Sequence, residues 1–224
     1  LQDPLALAHV IRFLDPVNRS DDELVAAITA IRDSGASGLS AVLQRLIGHG
    51  SDDVRLAAHH ALDRLAALNV ADHKAVAGDT VDAVRANAVS SLGLMKHTEA
   101  APILVDALRH DERAHVRRLA AIALGRLGDK ANAPVLIESL TDSNRGVRRY
   151  AAEALAQLDY KPAIPYLLMA LEANLAGAYI DRSVEVLSGQ DFGYDSRANA
   201  LDRAAAMDRG FAWYALHSKE FEAQ

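Results

Sequence analysis

The 224-residue chain contains no cysteine, which excludes disulfides and thiolate metal sites. Aromatic residues make up only 5% of it and prolines number 6, so neither a large aromatic core nor a proline-rich linker is available. No apolar run approaches the ~18 residues that a membrane span requires. Basic residues are outnumbered, with a formal charge of -6 and a pI near 5.8. Nucleic acid is therefore not an expected partner of the whole surface, since phosphate recognition needs a basic footprint. There is no initiating methionine, and Leu1 in its place leads us to expect the prior removal of an upstream segment. On that expectation the protein is soluble, in the cytoplasm or, after signal-peptide removal, in the periplasm or outside the cell.

What is present is 50% hydrophobic content carried by Ala, Leu and Val, a profile of closely spaced helices. One phrase occurs four times: Val54-Arg55-x-x-Ala58-x-x-x-Leu62, Val84-Arg85-x-x-Ala88-x-x-x-Leu92, Val116-Arg117-x-x-Ala120-x-x-x-Leu124 and Val147-Arg148-x-x-Ala151-x-x-x-Leu155. Its valines are 30, 32 and 31 positions apart, a period that signals stacked supersecondary units. Val, Ala and Leu fall on one helical face. A second helix precedes the later phrases, opening with Pro102, Pro134 or Pro165 at its first turn, where a missing N–H is harmless. Each unit is thus an A helix, a polar turn and a B helix.

Six units follow, over 1–34, 35–68, 69–97, 98–128, 129–159 and 160–188, with a C-terminal loop and capping helix over 189–224. The third has a stunted A helix over 70–77. In the sixth, Tyr179, Ser183 and Leu187 occupy the Val, Ala and Leu positions. The fold class is all-α, a right-handed α-solenoid of about six helical hairpins.

Asp79, Asp111 and Asp142 each precede the Val of their phrase by five residues. They are expected to accept from the B-helix N-terminus and to pair with an arginine of their own or the next unit. Arg55, Arg85, Arg117 and Arg148, present in every phrase, read as stacking residues on the same ladder. Ten of the eleven aromatic residues lie at or after Tyr150. Phe192, Tyr194, Phe211, Trp213 and Tyr214 are expected to cover the apolar end of the stack, with Asp191 and Asp195 folded onto Arg197 or Arg203.

The string Val116-Arg117-Arg118-Leu119-Ala120-Ala121-Ile122-Ala123-Leu124-Gly125-Arg126-Leu127-Gly128 resembles the short HEAT-like repeats named after phycobilisome bilin lyases. The resemblance covers residues 36 to 188, and the segment from Leu187 to Tyr214 is similar to the end of bacterial HEAT-repeat proteins of unassigned function. It implies a non-enzymatic scaffold or adaptor that binds a protein or peptide. It also implies two alternatives, a structural module appended to another domain and a bilin-lyase-like enzyme or tetrapyrrole chaperone. Related scaffolds hold di-iron through His-Glu dipeptides or excise DNA bases, but this chain has no His-Glu and is acidic overall.

Between Arg109 and Arg149 nine Lys/Arg stand against five Asp/Glu, a net of +4 that leaves -10 for the remainder. On the concave B-helix face, Arg118 and Arg149 sit one unit apart, with Arg113, Arg126, Arg145 and Glu153 nearby. This is the candidate partner surface, and an acidic peptide or phosphate suits it. No cofactor, metal or catalytic group is expected. His59-His60 beside His49 makes a poor chelate, because successive helical residues diverge by about 100°. Asp191-Phe192-Gly193 matches the kinase triplet by letters alone.

Overall fold

The computed structural model describes residues 4–15, 19–173 and 178–221, with side chains from residue 9 onward. Leu1 and the stretch 174–177 of the sixth unit lie outside it. Thirteen α-helices are present among the described residues, with no strand: α1 (Pro4–Phe13), α2 (Asp21–Ser34), α3 (Ser40–Leu46), α4 (Asp52–Arg64), α5 (Val70–Val76), α6 (Asp82–Met95), α7 (Ala101–His110), α8 (Ala114–Leu127), α9 (Ala133–Glu138), α10 (Arg145–Gln157), α11 (Ile164–Glu172), α12 (Ala178–Ser188) and α13 (Ala200–His217). The chain divides into two compact units, Leu1–Ser91 and Leu92–Gln224.

In the first unit, α2 and α3 pack on α4 around fully buried Leu24, Ile28, Leu39, Leu43, Val54, Ala58 and Leu62. In the second, α8 packs on α7 and α10, α12 packs on α10 and α11, and α13 covers α11. Val116, Ala120, Leu124, Val147, Ala151 and Leu155 have no exposed surface, as the helical spacing of the phrase requires. Glycine brings helices close here. A Cβ on Gly93 would stand 2.6 Å from Ala123 Cβ, and one on Gly125 would stand 2.9 Å from Ala154 Cβ.

The A helix α5 is no shorter than α3, and α9 is shorter still. Its peculiarity is a different start. A 3-10 turn leads into α3, α7, α9 and α11, whereas α5 begins directly on a reciprocal cap between Asn69 and Asp72. The corner after each phrase is left-handed at the twelfth residue beyond its Val: Ala66 (φ 51), Lys96 (φ 55), Gly128 (φ 77) and Asp159 (φ 48). Only the third has the residue type that takes this conformation without a steric penalty.

The arginines of the phrase tie the turns together. Each directs Nη1 at the carbonyls six and five residues before it: Arg55 at His49 and Gly50, Arg85 at Asp79 and Thr80, Arg117 at Asp111 and Glu112, Arg148 at Asp142 and Ser143. Two of them reach a carboxylate of the following repeat, and Arg55 also bonds Asp52 of its own at 2.8 Å. Arg55 holds Asp79 through Nε (2.8 Å) and Nη2 (3.0 Å), and Arg117 holds Asp142 through Nε (2.8 Å) and Nη2 (2.9 Å). Asp79, Asp111 and Asp142 also accept from the backbone N–H two residues on. His49 stands before the first phrase where the others have that aspartate, and its Nδ1 accepts from Ser51 N in the same way. Bonding to Arg55 lowers the Asp79 pKa. Burial pushes Asp142 up, but the bonds from Arg117 and Asn144 outweigh it and the net shift is downward.

At the C-terminal end, Phe192 is buried and tilts against Trp213, which stacks on His217 and Phe221. Tyr194 reaches the Leu171 carbonyl, and Phe211 and Tyr214 are half-buried. The charged pairing expected for this loop does not form. Asp191 and Asp195 accept from Gly193 N and Arg197 N, making tight turns, and the guanidinium that holds the loop is Arg209, whose Nε and Nη2 donate to the Phe192 carbonyl. A turn aspartate satisfies its own backbone at less entropic cost than a long-range ion pair.

Candidate functional site

Of the six residues grouped as a partner surface, the structure gathers Arg118, Arg145, Arg149 and Glu153. Arg113 instead occupies the N-cap position of α8, its side chain beside Glu112, and Arg126 lies exposed two turns beyond Arg118, in the last turn of α8. Arg118 lies across α10, its Cδ 3.5 Å from where a Cβ on Gly146 would stand.

Two tyrosines complete the arrangement. The guanidinium carbon of Arg149 lies 3.9 Å from the Tyr179 ring centre and 5.0 Å from that of Tyr150. Arg118 approaches Tyr150 at 6.0 Å, and Arg145 approaches Tyr179 at 5.8 Å. Cations and rings therefore alternate along one face, as Arg118, Tyr150, Arg149, Tyr179, Arg145. Each ring fixes a guanidinium through its quadrupole while leaving N–H donors directed elsewhere, a contact worth ~0.5–1 kcal/mol at exposed sites. Arg149 Nε donates to Glu153 Oε1 at 2.7 Å, and this bond raises the Arg149 pKa. Arg118 Nη2 meets His115 Nδ1 at 2.8 Å.

Sequence reasoning missed both rings. Tyr150 stands three residues after the Val of its phrase, where the other phrases have Ala57, Asn87 and Leu119. Tyr179 was expected at a core Val position, yet it is 39% exposed and Ile180 is the buried residue beside it. Ile180 occupies the slot that holds a stacking arginine in the four phrases, while Ser183 and Leu187 are buried at the expected Ala and Leu positions, so only the Val slot is displaced. The signal that was available is the Arg148-Arg149-Tyr150 triplet, a guanidinium pair followed directly by a ring.

The histidines assort differently from the expected grouping. His59 is fully buried and its Nε2 lies 3.2 Å from Nδ1 of His73 on α5, itself buried. Asn87 Nδ2 donates to His59 Nδ1 at 2.7 Å, and Asp63 Oδ1 lies 3.8 Å from His73 Nε2. Burial lowers the His59 pKa to about 4, with His73 adding to the effect, and burial also lowers His73. The two rings are a neutral hydrogen-bonded pair in the core. No group of three or more His, Asp or Glu side chains able to hold a metal occurs among the described residues. A further perturbed carboxyl, Asp181, is pushed up to about 6 by burial and by Glu185 and Asp191.

The description "HEAT repeats" matches residues 42–118, 73–156 and 108–188. The chain belongs to the HEAT-repeat family. Its fold is an α-solenoid of HEAT helical hairpins, all-helical as the repeat length implies. An engineered protein is similar with a TM-score of 0.58 and 16% identity, covering 92% of this chain and 67% of its own. A computationally designed armadillo repeat protein for modular peptide recognition has a TM-score of 0.54 and 17% identity over 92% of this chain and 99% of its own. A designed armadillo repeat protein in complex with the peptide (KR)4 is similar at 0.54 and 15% over 93% of this chain and 99% of its own. Among natural sequences, Conserved virulence factor C of Staphylococcus saprophyticus is 39% identical over 59 residues, which is 26% of this chain and 16% of that protein. No helix among the described residues is long and apolar enough to cross a membrane.

Proposed function

We propose that this HEAT-repeat protein is a scaffold that binds a segment of another polypeptide along the B-helix face of its second unit. The observation that carries this reading is the alternation of Arg118, Tyr150, Arg149, Tyr179 and Arg145 across three successive B helices. Packed helices lie 8–10 Å apart, so such a face presents side chains at a regular interval to an elongated ligand. Aromatic and arginine side chains are the types that carry most binding energy at protein interfaces. The designed armadillo proteins that share the fold support the reading, since one is described as built for modular peptide recognition.

Affinity capture with the wild-type chain and with an Arg118→Glu/Arg149→Glu variant tests it. A polypeptide retained by the first and lost by the second, at equal helical content, is the expected outcome. An identical set of captured proteins would remove the face from consideration.

A further inference from the structure

Glu153 sits at a revealing place on this face. It is one turn beyond Arg149 on α10, its carboxylate bonds Arg149 Nε at 2.7 Å, and its side chain remains 40% exposed. The order is the less favourable one for a helical pair, since the acid follows the base and neither charge complements the helix dipole. An exposed pair of this sort contributes ~0–1 kcal/mol to folding. What it does accomplish is to engage the one guanidinium that both rings flank, Arg149, with a carboxylate.

We propose that Glu153 is an internal stand-in for a carboxylate of the partner, and that the ladder takes an extended acidic polypeptide segment whose side chain displaces Glu153 from Arg149. This rests on the function proposed above and adds the chemistry of the occupant. Charge complementarity selects it. Arg145 has no carboxylate within ion-pair distance among the described residues, and Arg118 bonds only an imidazole nitrogen on this face. Three guanidiniums thus face a single resident carboxylate. The spacing follows from the shared ring: Arg118 and Arg149 are at most about 11 Å apart, the sum of their distances to Tyr150. An extended chain advances ~3.3 Å per residue, so acidic side chains about three residues apart reach both. Tyr150 and Tyr179 hold the guanidiniums in place beforehand, which limits the ordering cost of binding.

The test is fluorescence polarisation at low salt with a labelled glycine peptide bearing glutamate at every third position, alongside glutamine and lysine counterparts. Wild-type protein is expected to bind the glutamate peptide alone, and Glu153→Gln to bind it about two- to fivefold tighter, the factor that corresponds to release of a weak exposed pair. Arg149→Gln should lose both the binding and the effect of Glu153→Gln in the double variant. Binding of the glutamate peptide that is unchanged or weakened by Glu153→Gln overturns the stand-in and leaves the binding face intact. Preference for the lysine or glutamine peptide overturns the acidic partner, again with the face intact. Failure of all three peptides to bind overturns this inference, while the capture experiment above decides the proposed function separately.

Discussion

The same repeat phrase packs in two ways in the two compact units. Nine residues beyond the Val, α6 and α8 carry Gly93 and Gly125, and each lets a neighbouring helix come within van der Waals reach of its backbone. In α4 that position is Asp63, and the position four residues before it holds His59, where later phrases have buried Val89, Ala121 and Ala152. The second unit is closed by small apolar residues, whereas the first encloses an Asn87–His59–His73 chain leading towards Asp63. A repeat therefore tolerates either solution, and the choice decides how each region responds to bulk and to pH.

The largest expected effect breaks the close packing. Gly93→Leu places atoms inside the contact distance of Ala123, which is backbone and Cβ and cannot rotate away, and should cost about 3 kcal/mol or more in urea unfolding. Asp63→Ala, at the corresponding position of α4, should cost about 1 kcal/mol or less. Equal losses at the two sites would show that the units pack alike.

Next in size is the response of the first unit to acid. The folded pKa of His59 is lowered to about 4 from 6.5, with His73 beside it and His60, Asp63 and Asp79 also facing it, and Asp72 faces His73. The unfolded rings take up protons that the folded ones refuse. Stability is then complete above about pH 7 and declines as pH falls from 6.5 towards 4, by on the order of 3 kcal/mol for His59. Hydrogen exchange should show α4 and α5 opening first under acid. A His59→Val/His73→Leu variant, which imitates the second unit, should flatten that dependence.

The stacking ladder is common to both units and should not distinguish them. Arg55→Ala and Arg117→Ala each leave a largely shielded carboxylate without its two guanidinium bonds, so both are expected to lose about 2 kcal/mol. The smallest effect is a gain. Ala66→Gly removes a left-handed non-glycine residue and should stabilise the first unit by about 0.5 kcal/mol in thermal denaturation, since added freedom in the unfolded chain offsets part of the relief.

Much of the fold was legible because periodicity is a property of the whole array. The Val, Ala and Leu of each phrase specify the buried face, and the A-helix prolines mark their starts. The aspartates at fixed offset were legible as turn residues, but which unit supplied their arginine was not, since own-unit and next-unit geometry share one spacing. The candidate site was half legible. Arg118 and Arg149 stand out by charge, whereas Tyr150 and Tyr179 needed the relation between adjacent helices, which no single-helix pattern contains. His59 and His73 lie fourteen residues apart on different helices, so their pairing left no mark that spacing alone could expose.

We propose that departures from the repeat, not the repeat itself, form the binding face. Heteronuclear NMR with the glutamate peptide tests it most directly. Shifts concentrated on Arg118, Arg145, Arg149, Tyr150 and Tyr179 are expected, with the arginine side-chain signals moving most and Arg55, Arg117 and Asp142 unmoved. Shifts centred on the ladder arginines, on the first unit or on the aromatic cap would contradict it.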